Sequence, residues 1–587
     1  MLRTFVLGAL FMITPSPLLA ADPSDNPTTA FFKKYLDEDA KRHPVEASRL
    51  GDYRYADRMN DLSPKARAAD LAQVKKDLAA AELIVHRPTS KEIPLDEQID
   101  GKILLHHLKY QIWQAENFQT FERDPRVWNE YLVDSVFLLL AQTTLDKPTA
   151  TRAAAARMEY IPRVVANAKE SLKNPFKTHL ETAIKQNRGA IAFYERGIFE
   201  ITGETPALAG IARPAKAAVE ALKEHQKFLE SLLPEAKGEW RIGKEKFAKK
   251  MEYELDAGLS ADEVLKEAQA EADRVRRDMY VIARQLWHKT HPGQALPPDD
   301  DKGRRETIQK VLFEVAKDRS TTESVLADVK ATIGDIKKFI KDKDILRLPD
   351  PDRCDILEMP EFRRGNSTAY LDSAPPLDPK AKSVYAVSPP PKEWDARRVD
   401  TYFQEYNRQM LKILSIHEAY PGHYVQLEYS NRHPSLVRRV LQSGTFAEGW
   451  AVYTEQMMLD QGYGSGDLGL RLNQLKFYLR AVINAILDYE MHCKNMTDEE
   501  ALKLLIEGGF QGEGEAVAKV VRAKQSSVQL STYFVGRTAF YRLRQQVQRE
   551  MGDKFDLGRY HEAVLDHGTL PVKYLPELVR ERLKKER

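Results

Sequence analysis

Cysteine is almost missing from this chain: 587 residues carry two, Cys354 and Cys493. That excludes the disulfide framework by which small secreted domains are held together, and leaves open whether these two pair or stay as buried thiols. A surplus of charge is also missing, with 89 Lys and Arg against 87 Asp and Glu. No bulk basic field is therefore available to hold a nucleic acid, and none is expected as a partner. Beyond the N-terminus no apolar run approaches the roughly 18 residues needed to cross a bilayer. The glycines of 508–514 are followed by no Lys-Ser/Thr pair and preceded by no clear strand, which excludes a phosphate loop. Strand-like alternation, internal repeats and long low-complexity tracts are scarce as well.

What is present begins with an export signal. Arg3, an apolar stretch from Phe5 to Ile13, then Pro15, Pro17 and the small Ala20 and Ala21 follow the order of a secretory leader. Residues 1–21 are expected to be removed, leaving a periplasmic or secreted protein with no stable membrane span. No cysteine stands near the cleavage site to carry a lipid. The remaining length exceeds what one core usually supports, so two parts are expected: a helical region, 22–341, walling a cleft, and a metal-binding catalytic region, 342–587. Oligomeric state is not legible.

From Thr28 to Lys341 the pattern is helix after helix. Ser63-Pro64 is an N-cap followed by proline at the first helical position, and Ser260 with Glu263 forms a capping box, as Thr497 does with Glu500. Residues 151–172 carry apolar side chains at helical spacing. The prolines and acidic residues of 292–301 mark an exposed loop, without the glycine and distal glutamate of a calcium-binding EF-hand. In the proline-rich zone that follows, 383–388 reads as a short strand, a candidate edge for aligning an extended substrate. From Tyr402 to Leu414 apolar residues recur at helical spacing. The fold class expected is mainly α: a large multi-helix fold with a cleft and a small β element near a zincin-like metal site.

The chain is organised around Ile416-His417-Glu418-Ala419-Tyr420-Pro421-Gly422-His423, which sets two imidazoles and a carboxylate within seven residues. The histidines are six apart, not four. On an unbroken helix that rotates one about 120° from the other and lifts it about 9 Å, whereas two nitrogens on one zinc are at most about 4 Å apart. Pro421 removes a backbone donor and Gly422 tolerates dihedrals closed to other residues, so a break across 419–422 is expected to bring His423 back to His417. Glu448, beside Gly449 in a later helical stretch, is the expected third ligand. Glu455, seven residues on, falls on nearly the same face and is placed behind a ligand histidine as a hydrogen-bond acceptor.

The strings HEAYPGHYVQ and FAEGWAVYTEQM resemble those of the domain-of-unknown-function 885 family, which groups by motif with zinc metallopeptidases whose third ligand is a glutamate. Residues 47–58, the Asp488 to His492 block followed by 496–501, and 531–537 resemble further blocks of that family. Tyr424 stands where the family often has a second histidine, and Tyr489-Glu490 where it has Thr-Gly. The resemblance implies one Zn2+ per chain on His417, His423 and Glu448. Imidazole-rich ligation at a hydrolytic site favours zinc over manganese or iron. It also suggests Tyr533 as oxyanion donor, by likeness to the catalytic tyrosines of helical zinc peptidases, with His492 and Arg537 as alternatives for the oxyanion or a substrate carboxylate. Asp488 joins Glu455 among the supporting groups.

The reaction expected is hydrolysis of peptide bonds in oligopeptides by a metal-activated water, with Glu418 as general base. Two alternatives share these residues: a zinc amidase of a non-peptide or cell-wall substrate, and a noncatalytic binding protein. An intact Glu418 disfavours the last.

Overall fold

The computed structural model describes residues 19–20, 22–89, 92–142, 144–359, 364 and 369–585. The expected leader, 1–21, lies outside the described residues except for Leu19 and Ala20. Helix makes up 71% of the described residues, and the remainder includes one small three-stranded sheet.

Local capping explains where several helices begin. Ser63 accepts from the Ala66 amide ahead of Pro64–Val85, and reciprocal caps form at Ser260 with Glu263 and at Thr497 with Glu500. The acidic run before Asp301 is also a helix start. Asp300 accepts from the Gly303 amide and Asp299 pairs with Arg304. The pattern from Tyr402 to Leu414 is two helices, not one. Ala396–Glu405 ends before Asn407, whose side chain accepts from the amides of Gln409 and Met410 to start the next helix.

Seven helices frame the site: α1 (Ala261–Thr290), α2 (Arg408–Glu418), α3 (His423–Asn431), α4 (Gly444–Asp460), α5 (Leu468–Cys493), α6 (Glu513–Gln525) and α7 (Thr532–Met551). Burial of their apolar faces organises the molecule into three large cores. One belongs to Arg126–Ala141, Lys147–Ser171, Lys177–Ala192 and Ala212–Leu232, packed around Trp128, Met158, Leu180 and Leu222. A second fills the space between α1, α5 and α6. The third gathers Phe32 and Leu108, Ile336, Tyr385, Ile416, Trp450 and Phe540, so side chains from before and after residue 341 share it.

The sheet lies against this third core. Its strands β1 (Cys354–Glu358), β2 (Ala369–Asp372) and β3 (Ser383–Val387) are ordered β1-β3-β2, β3 being parallel to β1 and antiparallel to β2. The strand expected at 383–388 is therefore present but central, flanked on both sides, and it offers no edge. The edge beside α2 belongs to β2. Cys354 on β1 and Cys493 at the end of α5 are both free. No helix among the described residues is long and apolar enough to cross a membrane.

Candidate metal centre

The break that the sequence requires is built from backbone contacts. Helix α2 stops at Glu418 and α3 starts at His423. Between them the amides of Ala419 and Tyr420 both donate to the Ser415 carbonyl, at 3.1 and 3.2 Å, and Gly422 N donates to the Ile416 carbonyl at 3.0 Å. A Cβ on Gly422 would lie 1.9 Å from the His417 carbonyl oxygen, so only glycine permits this approach. The Tyr420–Pro421 peptide is cis. Trp450 of α4 donates from Nε1 to the Pro421 carbonyl at 2.9 Å, while the Tyr420 hydroxyl donates to the Asp352 carboxylate and Tyr424 Oη accepts from the Arg353 amide. Tyr424 thus ties α3 to the segment entering β1.

This geometry folds the two imidazoles together, their ring centroids 4.8 Å apart and nearly perpendicular. Glu448 closes the cluster from α4. Its Oε2 stands 3.7 Å from His417 Nε2 and 3.4 Å from His423 Nε2, and one ligand atom from each of the three residues lies within 4.8 Å of the others. Glu448 is placed by a close helix crossing. A Cβ on Gly449 would come within 2.4 Å of Gly536 of α7, and one on Gly536 within 2.1 Å of the Thr445 carbonyl. Behind the cluster, Glu455 Oε1 is 2.7 Å from His417 Nδ1 and fully buried, which leaves Nε2 turned toward Glu448.

Burial by itself pulls the His417 pKa down, but its contacts with Glu448 and Glu455 outweigh that and hold it well above the usual value. Burial likewise pushes Glu448 up, and the two histidines overcome it and hold the carboxyl far below the ordinary range. Glu455 is raised, its burial winning over the attraction of His417.

His417, Glu418, His423, Glu448 and Tyr533 line one cavity of about 570 Å3. Glu418 Oε2 accepts from the Leu371 amide of β2 at 3.2 Å. That amide points away from β3, as alternate amides on an antiparallel edge strand do.

Residues 44–579 match the family described as "Bacterial protein of unknown function (DUF885)". The chain belongs to that family. A "putative lipoprotein of unknown function" from Shewanella oneidensis has the same fold, with a TM-score of 0.80 at 30% identity, covering 96% of this chain and 100% of its own. The "putative lipoprotein" from Colwellia psychrerythraea gives 0.78 at 19% identity, with 95% and 100% covered, a likeness of fold alone. No curated protein matches.

Three other residues singled out in this DUF885 chain sit elsewhere, and their places correct the expectation. His492 is closed off by backbone: its Nε2 lies 2.9 Å from the carbonyls of both Ala523 and Ser526, and burial lowers its pKa to about 4. It borders a different cavity, beside Trp240. Arg537 lies between the rings of Tyr478 and Tyr541, at 4.1 and 4.2 Å, with Nη2 donating to Gln456 Oε1, and it too faces a separate cavity. Asp488 supports no ligand. It accepts from Val528 N and Ser531 Oγ, bracing the segment that enters α7 two residues before Tyr533, and burial pushes its carboxyl up to about 7.

Sequence reasoning missed the Leu371 amide and three basic residues in the cavity wall, Arg480, Lys519 and Arg522. Lys519 had a signal. It shares a helix face with Ala516, Val520 and Ala523, all of them buried, and a lysine in an apolar stripe needs a reason.

Proposed function

We propose that this protein is an exported zinc-dependent metallopeptidase that hydrolyses peptide bonds in oligopeptides. The observation that carries the reading is the convergence of His417, His423 and Glu448 next to Glu418 in one cavity. The donor set fits a tetrahedral ion: donors about 2.0–2.1 Å from zinc are about 3.4 Å apart, against 3.4 and 3.7 Å for the two histidine–Glu448 separations. Glu455 supports the fit by fixing the His417 tautomer through Nδ1.

Zinc held by these residues supplies Lewis acidity toward a carbonyl and a water. Glu418, oriented by the Leu371 amide, takes the proton of the attacking water and passes it to the leaving amine. Tyr533, in the same cavity, is the donor for the developing oxyanion. The outward edge of β2 aligns an extended chain by main-chain hydrogen bonds, and the cavity's size admits a short peptide but not a folded protein. An extracytoplasmic location is supported by the leader-like N-terminus and by related structures described as lipoproteins.

The test is hydrolysis of a peptide library by the zinc-loaded protein, before and after chelation. Cleavage lost on chelation and restored by zinc is the expected result; no cleavage of any member refutes the reading.

A further inference from the structure

Besides Glu418 and Glu448, the cavity of the candidate metal ligands is lined by three basic side chains. Arg480 of α5, Lys519 of α6 and Arg522 of α6 all line it. Arg480 is paired with Glu515 at 2.6 Å. Arg522 donates to Gln529 Oε1 at 2.7 Å and has no carboxylate partner among the described residues. Lys519 is only 5% exposed and makes no hydrogen bond or ion pair with any described residue. Beside them in the cavity wall Asn484 is 4% exposed, and its Oδ1 has no hydrogen-bond partner.

Of these three cations Lys519 alone is deeply buried without an ion-pair partner among the described residues, since Arg522 is exposed and Arg480 is held by Glu515. Leaving an ammonium there without a partner costs several kcal/mol, so buried charges are normally paired. Burial pulls the Lys519 pKa well below its ordinary value, and Arg480 and Arg522 push it the same way. Glu515 attracts the ammonium but is already paired with Arg480, and no described carboxylate lies within ion-pair distance of Lys519. A counter-charge is therefore expected from what enters the cavity. Leu414, Val452 and Phe477 line the same space, which suits a ligand with apolar side chains and one anionic end.

We infer that Lys519, with Arg480 beside it, binds the free α-carboxylate of a peptide, so that the enzyme acts from the carboxyl terminus of its substrate. The inference rests on the peptidase reading above. It narrows that reading from oligopeptides in general to those whose last residue ends in a carboxylate. Ordinary peptides and cell-wall stems ending in a D-residue both offer that group.

The experiment uses zinc-loaded full-length protein and three peptides of one sequence: a free acid, its C-terminal amide, and a free acid ending in a D-residue. Cleavage of at least one free acid about 10- to 100-fold better than the amide in kcat/KM, the range for losing a charge-assisted hydrogen bond, is expected; which acid is preferred identifies the source. Lys519→Met should lower kcat/KM for the acid to the amide's level, chiefly through KM, and Lys519→Arg should restore part of it. Since Met removes an unpaired buried charge, its melting temperature should match or exceed the wild type's, whereas a structural lysine would lower it. Equal cleavage of acid and amide, or an unaltered preference in Lys519→Met, overturns the inference and leaves the peptidase reading standing. If no peptide is cleaved, both fall.

Discussion

His417 and His492 are both buried histidines with an acidic residue within two positions in a motif-like stretch of helix, yet the structure treats them in opposite ways. His417 has a carboxylate at each nitrogen, Glu455 on Nδ1 and Glu448 toward Nε2, and one side faces a cavity. His492 meets two backbone carbonyls at one nitrogen, and its Nδ1 has no partner. Carboxylates raise the first imidazole's pKa well above normal, while burial holds the second near 4. The lesson is that the partner on the far nitrogen separates a candidate ligand from a structural ring. A carboxylate behind an imidazole makes the free nitrogen a better donor to a metal, whereas carbonyls only satisfy a neutral ring.

The sharpest way to probe the His417 side is Glu418→Gln, which keeps the ligand cluster and removes the base. Peptide hydrolysis should fall about 10²- to 10⁴-fold while zinc content stays the same; unchanged turnover would remove Glu418 from the mechanism.

Asp488, close to His492 in sequence, gives a pH test of the second region. In the folded protein it keeps its proton up to about pH 7, against 3.8 for an ordinary aspartate. Between those values the folded state binds more protons than the unfolded chain, so stability should fall as pH rises from 4 to 7. Asp488→Asn should abolish this slope and gain on the order of 2–4 kcal/mol over the wild type at pH 8, with little change at pH 4. Denaturant titrations at both pH values that show parallel behaviour would contradict the assignment.

Glu455→Gln removes the carboxylate that distinguishes the two histidines and should weaken zinc about 10- to 100-fold, measured by competition with a chromogenic chelator. The smallest effect is expected for His492→Gln. It should cost about 1–2 kcal/mol in stability for the lost hydrogen bonds, while zinc affinity and peptide turnover stay at wild-type values. A loss of zinc here would erase the distinction drawn above.

Much of the convergence of His417, His423 and Glu448 was legible because one constraint is purely geometric: histidines six apart cannot meet on a regular helix, and Pro421-Gly422 stands where the break must be. Glu448 was legible from the glycine beside it, although the approach that glycine permits, to Gly536 on α7, involves a residue 87 positions away. Helix starts at Ser63, Ser260 and Thr497 were readable because caps are local. Strand β2 was not. Its four residues carry no alternation long enough to register, and their pairing is decided by β3, which comes later in the chain. The places of His492 and Arg537 were hidden for a similar reason. The carbonyls that close the one come from the end of α6, and Tyr478, one of the two tyrosines that sandwich the other, comes from α5; residue type does not announce them.

Metal content measured side by side in purified wild type and Glu448→Ala tests the central claim most directly. About one equivalent of zinc per chain in the wild type and near none in the variant, with helical content equal by circular dichroism, is the predicted result. Equal zinc in both proteins, or none in a zinc-reconstituted wild type, would contradict it.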